Sequence, residues 1–294
     1  MVDLTRNDYV IWSRMTSSRP GRRVTGMHER WLVRPKTKIE LAAIDPDSTA
    51  GGPPDKQAAK EPIGDLRHRL RNLQGRLWAG RQQALLVVLQ AMDAGGKDGT
   101  VKHVFKGVNP LGTKVTSFKE PTQDELEHDF LWRVHKVTPG KGEIGIFNRS
   151  HYEDVLVVRV HDLVPEKVWR GRYPIINDFE FALSQADTRI VKVFLHISRD
   201  EQARRLRRRL DRPDKRWKLQ PSDVEERRFW DDYQRAYEET INATSTEHGP
   251  WYVVPADHKW WRNWAVLNIL VDVLEDMDPQ FPDPADDLDK IHIV

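Results

Sequence analysis

Three glycines, one lysine and two carboxylates fall within residues 91–100, AMDAGGKDGT. The segment follows the apolar run 85–90 (LLVVLQ) and precedes TVKHVFKGV, which can begin a helix. A glycine loop between a buried strand and a helix is the arrangement that binds phosphate through backbone N–H groups and the helix dipole. Ala91 stands where the usual loop has its first glycine, and Asp98 where it has Ser or Thr. We therefore expect a phosphate-binding loop with additional negative charge.

The charged residues of this loop suggest its ligands. Lys97 supplies a mobile positive charge for phosphate oxygens. Asp93 and Asp98 would repel a phosphate unless Mg²⁺ lay between them, because Mg²⁺ binds through one or two carboxylates together with substrate oxygens. A surface turn rich in Gly and Asp is the alternative, and the preceding buried strand argues against it. The predicted phosphate-binding set is Gly95, Gly96, Lys97, Asp98 and Gly99.

A second group of polar residues follows the strand predicted at 143–148, in GIFNRSHYEDVLVVRV. In parallel sheets ligands bind at the carboxyl ends of the strands. Arg149 can place its planar fork on a phosphoryl group, and Asn148 can hold a metal ion or a metal-bound water. Glu153 and Asp154 lie one helical turn further on, which predicts a place near the entrance of the cleft. The alternative is that Arg149 and Glu153 simply pair across a turn.

A third feature is a basic stretch, residues 199–218, with ten Lys or Arg against four Asp or Glu. On a helix its arginines at 204, 205, 208 and 209 fall on neighbouring faces. Pro213 ends that helix, and Ser222 with Glu225 resembles a capping box opening the next one. The stretch therefore predicts a helical lid at about 199–228, placed where a kinase lid closes over phosphates. A solvated basic face and nucleic-acid binding are the alternatives.

The elements that must position these residues alternate along the chain. Short apolar strands are predicted at 85–90, 114–118, 143–148, 189–197 and 251–256, and helix-like stretches separate them, including 124–137, 165–186 and 259–277. This alternation is typical of a parallel sheet covered on both faces. We therefore expect an α/β, P-loop kinase-like three-layer sandwich with a five-stranded parallel sheet, an inserted helical lid and an N-terminal arm.

The domain boundaries follow from composition. Residues 1–62 contain the turn-rich segment DPDSTAGGPPDK and little periodicity, which predicts an extended arm. A leucine stripe at 66, 70, 73 and 77 then marks a helix, so residues 63–294 are predicted to form the kinase-like domain. The tryptophans at 260, 261 and 264 share a helix with apolar residues, which indicates core or interface packing.

Composition excludes several classes of protein. The 294 residues are 38% hydrophobic and 31% charged, with a net charge of +2 and no cysteine. Thiolate chemistry and disulfides are therefore excluded. No apolar run is long enough to span a membrane, and the N-terminus lacks a secretory core. We expect a cytoplasmic enzyme without a membrane or nucleic-acid partner. The acidic stretch 272–289 has eight Asp or Glu, which is typical of a solvated surface.

Several long motifs resemble those of the family-2 polyphosphate kinases, in particular the type that acts on both nucleoside mono- and diphosphates. The motifs are LLVVLQAMDAGGKDGTVKHVFKGVNP, FLWRVHK, GEIGIFNRSHYEDVLVVRVH, FLHIS, KRWKL and STEHGPWYVVPADHKWWRNW, within about residues 66–275. The resemblance implies Mg²⁺-dependent, reversible transfer of the terminal phosphoryl group of inorganic polyphosphate to AMP and ADP, with ATP as a product. It also implies a homo-oligomer, a dimer or tetramer.

The resemblance also implies roles for individual residues. Lys97 would be the phosphate-binding lysine, Asp93 the metal-linked carboxylate and Arg149 the third catalytic residue. Asn148 matches a position where related subfamilies have Asp, and together with Glu153 and Asp154 it would lie at the nucleotide. The residues implied for polyphosphate are Arg204, Arg208, Lys215, Arg216 and Lys218. Two other functions share parts of this pattern, an ATP-dependent nucleoside or nucleotide kinase and a non-catalytic polyanion-binding module.

Overall fold

One sheet organises the part of the chain that the computed structural model describes, residues 26–284. Its strands are β1 (Leu32–Val33), β2 (Ala84–Ala91), β3 (Thr113–Ser117), β4 (Ile144–Asn148), β5 (Thr188–His196) and β6 (Trp251–Pro255). Their order is β1-β6-β5-β2-β4-β3, with every pairing parallel except β1 with β6. The predicted five-stranded parallel sheet is confirmed, and β1 is an additional antiparallel edge strand. Two residues are too short to produce a recognisable alternation in sequence.

Helices cover the sheet on both faces. They are α1 (Lys60–Gly80), α2 (Lys97–Val104), α3 (Gln123–Leu126), α4 (Trp132–His135), α5 (Glu153–Val160), α6 (Glu166–Gln185), α7 (Arg199–Asp211), α8 (Pro221–Glu225), α9 (Trp230–Thr244) and α10 (Lys259–Met277). Short 3-10 helices occupy Met27–Arg30, Leu41–Ala43, Pro110–Gly112, Arg216–Lys218 and Glu226–Phe229. α1, α2 and α10 pack together in one layer, and α5, α6 and α9 in the other.

The hydrophobic core lies between the sheet and these helical layers. Most apolar residues of the predicted strands and helices are buried in it. Every residue of β2 is buried, as a central strand with neighbours on both sides requires. The four leucines of the predicted α1 stripe are at most 9% exposed. Trp261 and Trp264 of α10 are also buried, and the ring of Trp31 contacts both edge-on. The predicted packing role is therefore confirmed for Trp261 and Trp264, and Trp260 is partly buried against the same core. No helix within residues 26–284 has the length and apolar character that a membrane crossing requires.

The described part of the predicted arm, residues 26–59, lies on this domain. The carbonyl of Trp31 accepts a hydrogen bond from the N–H of Val253 (2.8 Å), and Leu32–Val33 pairs with β6. α1 begins at Lys60, so the predicted boundary at 62/63 falls within its first turn. Residues 1–25 of the arm and 285–289 of the acidic stretch lie outside the described residues.

Two helical features of the structure, the stretch 124–137 and the start of α8, differ from the predictions. The stretch 124–137 forms two one-turn helices, because Asp129 Oδ1 accepts the N–H of Leu131 (2.9 Å) and interrupts the helix between them. In the lid, α7 ends at Asp211, before Pro213 as predicted. The predicted Ser222–Glu225 capping box is wrong, because Gln220 is the cap of α8 and pairs reciprocally with Asp223. Pro221 occupies the first helical position, where its missing N–H costs no hydrogen bond.

Candidate active site

The phosphate-type loop lies between β2 and α2, at the carboxyl edge of the sheet. Gly96 caps α2 with φ of 103°, a conformation that favours glycine. Gly95 is required for a different reason, since a Cβ there would lie 2.4 Å from the Cβ of Ala91. α2 begins at Lys97, three residues earlier than TVKHVFKGV suggested, so Lys97 and Asp98 belong to its first turn. The loop thus places the N-terminus of α2 and one lysine at the same edge of the sheet.

The ammonium group of Lys97 is held at the end of β2. Its Nζ donates to the carbonyl of Ala91 at 2.8 Å. Burial and the nearby Arg149 lower the pKa of Lys97, while the carboxylates around it act in the opposite direction. A bound phosphate would also raise this pKa, since an opposite charge favours the protonated form.

Arg149 reaches the loop because β4 lies directly beside β2. The pairing aligns Leu89 with Asn148, and the N–H of Arg149 donates to the carbonyl of Leu89 (3.2 Å). The Arg149 Nη2 lies 3.0 Å from Asp93 Oδ1, and its Nη1 lies 3.9 Å from Glu153 Oε2. Glu153, followed by Asp93, raises the pKa of Arg149 despite its partial burial. The alternative ion pair of Arg149 with Glu153 is therefore present, and the phosphoryl-binding role of Arg149 stays a prediction.

These side chains meet in one narrow cavity of about 40 Å³. Four predicted site residues line it: Asp93, Lys97, Arg149 and Glu153. The other lining residues are Ala91, Met92, Val157, Gln202, Glu226, Tyr233 and Tyr237. A volume of this size holds about one water molecule. The cavity thus brings the loop lysine, the loop carboxylate and Arg149 to one place.

Sequence reasoning missed the wall formed by Gln202 and α9. The Gln202 amide donates to the carbonyl of Asp93 (2.9 Å), which joins α7 to the loop. The hydroxyl of Tyr237 donates to the carbonyl of Ala91 (3.1 Å). Burial raises the pKa of Tyr237 well above its ordinary value, so this hydroxyl stays neutral. The one signal available was the pair Tyr233 and Tyr237, spaced four apart on the helix that follows the lid.

Asp98 has a different environment from the one predicted. Its carboxylate accepts hydrogen bonds from Asn148 Nδ2 and from Lys218 Nζ, each at 2.9 Å, and it does not line the cavity. Partial burial alone would raise the pKa of Asp98, but these two partners lower it. Asp98 therefore connects the first turn of α2 to the lid. The predicted Mg²⁺ between Asp93 and Asp98 stays a prediction.

Asp154 also departs from its predicted position. Its side chain is mostly buried, and its carboxylate lies 3.4 Å from Arg172 Nη1 and 3.8 Å from Arg133 Nη2. Burial raises the pKa of Asp154 even though both arginines oppose this change. Asp154 was predicted near the entrance of the cleft, but it does not line the cavity that Glu153 lines, because these arginines hold its carboxylate.

The lid, residues 199–228, contacts the loop through an arginine that was not assigned a site role. Arg205 is buried; its guanidinium donates to the carbonyls of Gly95 (2.7 Å) and Ala256 (2.5 Å) and pairs with Glu201 (2.7 Å). This side chain fixes α7 to the loop and to the end of β6. The lid is consequently positioned over the phosphate loop, as predicted.

The predicted polyphosphate residues lie around this contact, outside the cavity. Arg204 is exposed and pairs with Glu201 at 2.8 Å, and Arg208 is exposed one turn later. Lys215 pairs with Asp214 (3.4 Å), and Arg216 Nε donates to the carbonyl of Leu210 (2.7 Å). Only Lys218 among the five reaches a loop residue, through Asp98.

A buried cation lies behind the loop. Arg262 of α10 is 1% exposed, and its Nη1 would lie 2.2 Å from a Cβ built on Gly96. Its hydrogen bonds go to the neutral side-chain oxygen of Asn263. Burial and Arg205 lower the pKa of Arg262 to about 9. The loop is thus approached by positive charge from behind as well as from Lys97 and Arg149, which favours anions there.

A metal ion would find suitable oxygen ligands at Asp93. Within residues 26–284 no three His, Asp or Glu side chains form a complete metal site. Mg²⁺ does not need such a cluster, since one or two carboxylates with phosphate oxygens and water suffice. Asp93 and Glu153 supply carboxylates in the cavity that also contains Lys97. Asn148 is engaged with Asp98 through its Nδ2, so the predicted metal ligation there would use its remaining amide oxygen.

A central parallel strand, a glycine loop, a helix that begins at a lysine and a basic helical lid define an α/β protein of the P-loop kinase class. Comparison with known proteins narrows this class. Residues 54–282 match the family described as Polyphosphate kinase 2 (PPK2). The chain belongs to the polyphosphate kinase 2 family.

Individual relatives are similar over most of the chain. An AMP/ADP-polyphosphate phosphotransferase of Meiothermus ruber is 55% identical over 90% of this chain and 99% of its own length. An ADP-polyphosphate phosphotransferase of Rhodopseudomonas palustris is 46% identical over 73% of this chain and 78% of its own length. The crystal structure of Polyphosphate Kinase 2 from Arthrobacter aurescens TC1 superimposes with a TM-score of 0.86 and 44% identity, covering 89% of this chain and 93% of that one.

Proposed function

We propose that this protein transfers the terminal phosphoryl group of inorganic polyphosphate to AMP and to ADP. The observation that carries the proposal is the convergence of Lys97, Asp93 and Arg149 in one cavity beneath the basic lid. The named activities of the relatives from Meiothermus ruber and Rhodopseudomonas palustris support the same donor and acceptors.

The side chains of the cavity suit phosphoryl transfer. In this reaction an oxygen of the acceptor phosphate forms a bond to the terminal phosphorus of the donor, and the bond to the chain's bridging oxygen breaks. Lys97 and the loop N–H groups would bind donor oxygens, and Arg149 would neutralise charge on the transferred group. No strong base is needed, because a nucleotide phosphate is already ionised at neutral pH. The protein's contribution is therefore positioning and positive charge.

We propose Mg²⁺ as the cofactor, held by Asp93 with Glu153 nearby, and with Asn148 as a further candidate ligand. When bound, the ion would supply positive charge to the phosphate oxygens. Arg149 now occupies one oxygen of Asp93, at 3.0 Å, and Glu153 lies within reach of the same guanidinium. These two carboxylates can therefore bind either the arginine or a cation, whereas Asp98 is already held by the lid.

Product analysis tests the proposed reaction. The purified chain is incubated with Mg²⁺, long-chain polyphosphate and AMP, and nucleotides are separated over time. ADP followed by ATP is the expected result. Phosphorylation of AMP by ATP but not by polyphosphate would replace the donor assignment with that of an ATP-dependent kinase. Tight, salt-sensitive polyphosphate binding without any turnover would indicate a polyanion-binding module instead.

Changing both Arg204 and Arg208 to Ala is expected to raise KM for polyphosphate about tenfold or more, because each guanidinium can make charge-assisted hydrogen bonds to phosphate. KM for AMP should stay unchanged. Initial rates with each substrate varied separately measure the effect. Arg207→Ala is the matched control, since Arg207 is also an exposed arginine of α7. An equal rise of both KM values would contradict a donor-binding role for these arginines.

We also propose a cytoplasmic location and a homo-oligomer, a dimer or tetramer. The absence of cysteine from the sequence suits a reducing compartment. The exposed apolar side chains of Val168 and Ile175 on α6 offer surface for a subunit contact. Mass measurement by light scattering tests the oligomer.

A further inference from the structure

Arg149 projects from a turn with an unfavourable backbone conformation. Its φ of 63° is left-handed, which a residue with a side chain rarely adopts. Such conformations persist only where the surroundings hold them in place. The structure must therefore contain groups that hold residues 149–153 in this form.

The side chains between Arg149 and Glu153 point inward and provide this hold. Ser150, His151 and Tyr152 are all 0% exposed, whereas Arg149 and Glu153 face the cavity. Ser150 Oγ accepts hydrogen bonds from Gln90 Nε2 (3.1 Å) and from the N–H of Tyr152 (3.2 Å). The turn is thus tied to β2 by its first inward residue.

Tyr152 ties the turn to a buried ion pair. Its hydroxyl donates to Glu180 Oε1 (2.8 Å) and accepts from Lys192 Nζ (2.9 Å). Lys192 and Glu180 are themselves 0% exposed and 2.5 Å apart. The Lys192 ammonium also donates to the carbonyl of Thr244 (2.7 Å), so its three donors have three acceptors.

The buried network contains one positive side chain, Lys192, paired with one negative side chain, Glu180. Burial would raise the pKa of Glu180, but Lys192 and His151 outweigh burial and lower it, so Glu180 is ionised. Gly249 makes room for the pair, because a Cβ there would lie 2.6 Å from Glu180 Oε2. A buried ion pair is weak support for stability, since hydrophobic residues of similar volume often do as well. A role other than stability would account for its presence.

We propose that Tyr152, anchored by the Lys192–Glu180 pair, is a positioning residue for phosphoryl transfer. It holds the 149–153 turn in the conformation that directs Arg149 and Glu153 into the cavity. This inference rests on the proposed function for its kinetic consequence, while its structural consequence is independent of any reaction. Tyr152, Glu180 and Lys192 do not line the cavity, so Tyr152 acts on it through the turn.

Tyr152→Phe tests the proposal, because it removes one oxygen and leaves the buried ring in place. Tyr173→Phe is the matched control. Tyr173 is also buried, and its hydroxyl forms a hydrogen bond of 3.4 Å with Thr240 Oγ1, which is not part of the 149–153 turn. Tyr152→Phe is expected to lower kcat about tenfold, with KM for polyphosphate little changed. Tm should fall by a few degrees, because Lys192 and Glu180 each lose a buried hydrogen-bond partner. Tyr173→Phe should leave kcat unchanged. Equal kcat for the two variants would overturn the proposal.

A double-mutant cycle identifies the route of the effect. In an Arg149→Ala background, Tyr152→Phe is expected to cause a smaller loss of kcat than in the unchanged protein, because one of the two groups that it positions is already absent. Independent, multiplicative losses would mean that Tyr152 does not act through Arg149.

Amide hydrogen exchange tests the positioning role without depending on phosphoryl transfer. Residues 149–153 should exchange faster in Tyr152→Phe than in Tyr173→Phe or in the unchanged protein. Unchanged exchange would refute the positioning role even if polyphosphate and AMP were turned over. Faster exchange in a protein that lacks turnover would support the positioning role and reject the proposed function.

Discussion

Lys97→Ala is expected to lower kcat for transfer from polyphosphate to AMP by two or more orders of magnitude, about 3 kcal/mol of barrier. The lysine is the one cation in the first turn of α2 that lines the cavity, and its ammonium already lies 2.8 Å from a carbonyl at the end of β2. Alanine would leave the loop N–H groups without a mobile charge to follow the transferred phosphoryl group.

The measurement is steady-state kinetics at saturating Mg²⁺ and polyphosphate, with Tm recorded for every variant. Lys102→Ala is the control, since Lys102 is an exposed lysine on the same helix. The control should keep its turnover, and both variants should keep their Tm, because Lys97 makes only one hydrogen bond to the loop. Turnover near that of the unchanged protein after Lys97→Ala would refute the site.

Asp93→Ala is expected to cause a loss of similar size, two or more orders of magnitude in kcat. Asp93 is the cavity carboxylate nearest to Arg149, and we propose it as a ligand of Mg²⁺. The lid should stay in place, because Gln202 bonds the backbone carbonyl of Asp93, which alanine retains. The expected loss is therefore chemical and not a loosening of α7.

Turnover measured across a Mg²⁺ titration checks this expectation, and higher Mg²⁺ should not restore the rate. Asp65→Ala removes an exposed carboxylate on α1 and serves as the control. Asp93→Asn adds a second comparison, since it keeps an oxygen that can accept from Arg149 but loses the negative charge. A rate for Asp93→Ala like that of the Asp65 control would exclude Asp93 from the reaction.

The sequence by itself determined the class of fold and the place of the site. Five apolar strands alternating with amphipathic helices predicted the parallel sheet, because both signals are local periodicities. A glycine loop directly after a buried strand predicted the candidate phosphate site for the same reason, since the geometry of such a loop depends on adjacent residues. The motif around Arg149 was placed at the correct edge because all parallel strands end on one side.

The tertiary structure decided which charged groups from distant parts of the chain meet. Arg149 contacts Asp93 because β4 pairs directly with β2, an order that no local pattern reports. Asp98 binds Lys218, 120 residues away. Asp154 and Glu153 are adjacent in sequence, yet arginines on α4 and α6 hold Asp154 away from the cavity that Glu153 lines. The choice of an ionic partner depends on distances between elements far apart in the chain, and the spacing of residues along the sequence does not encode those distances.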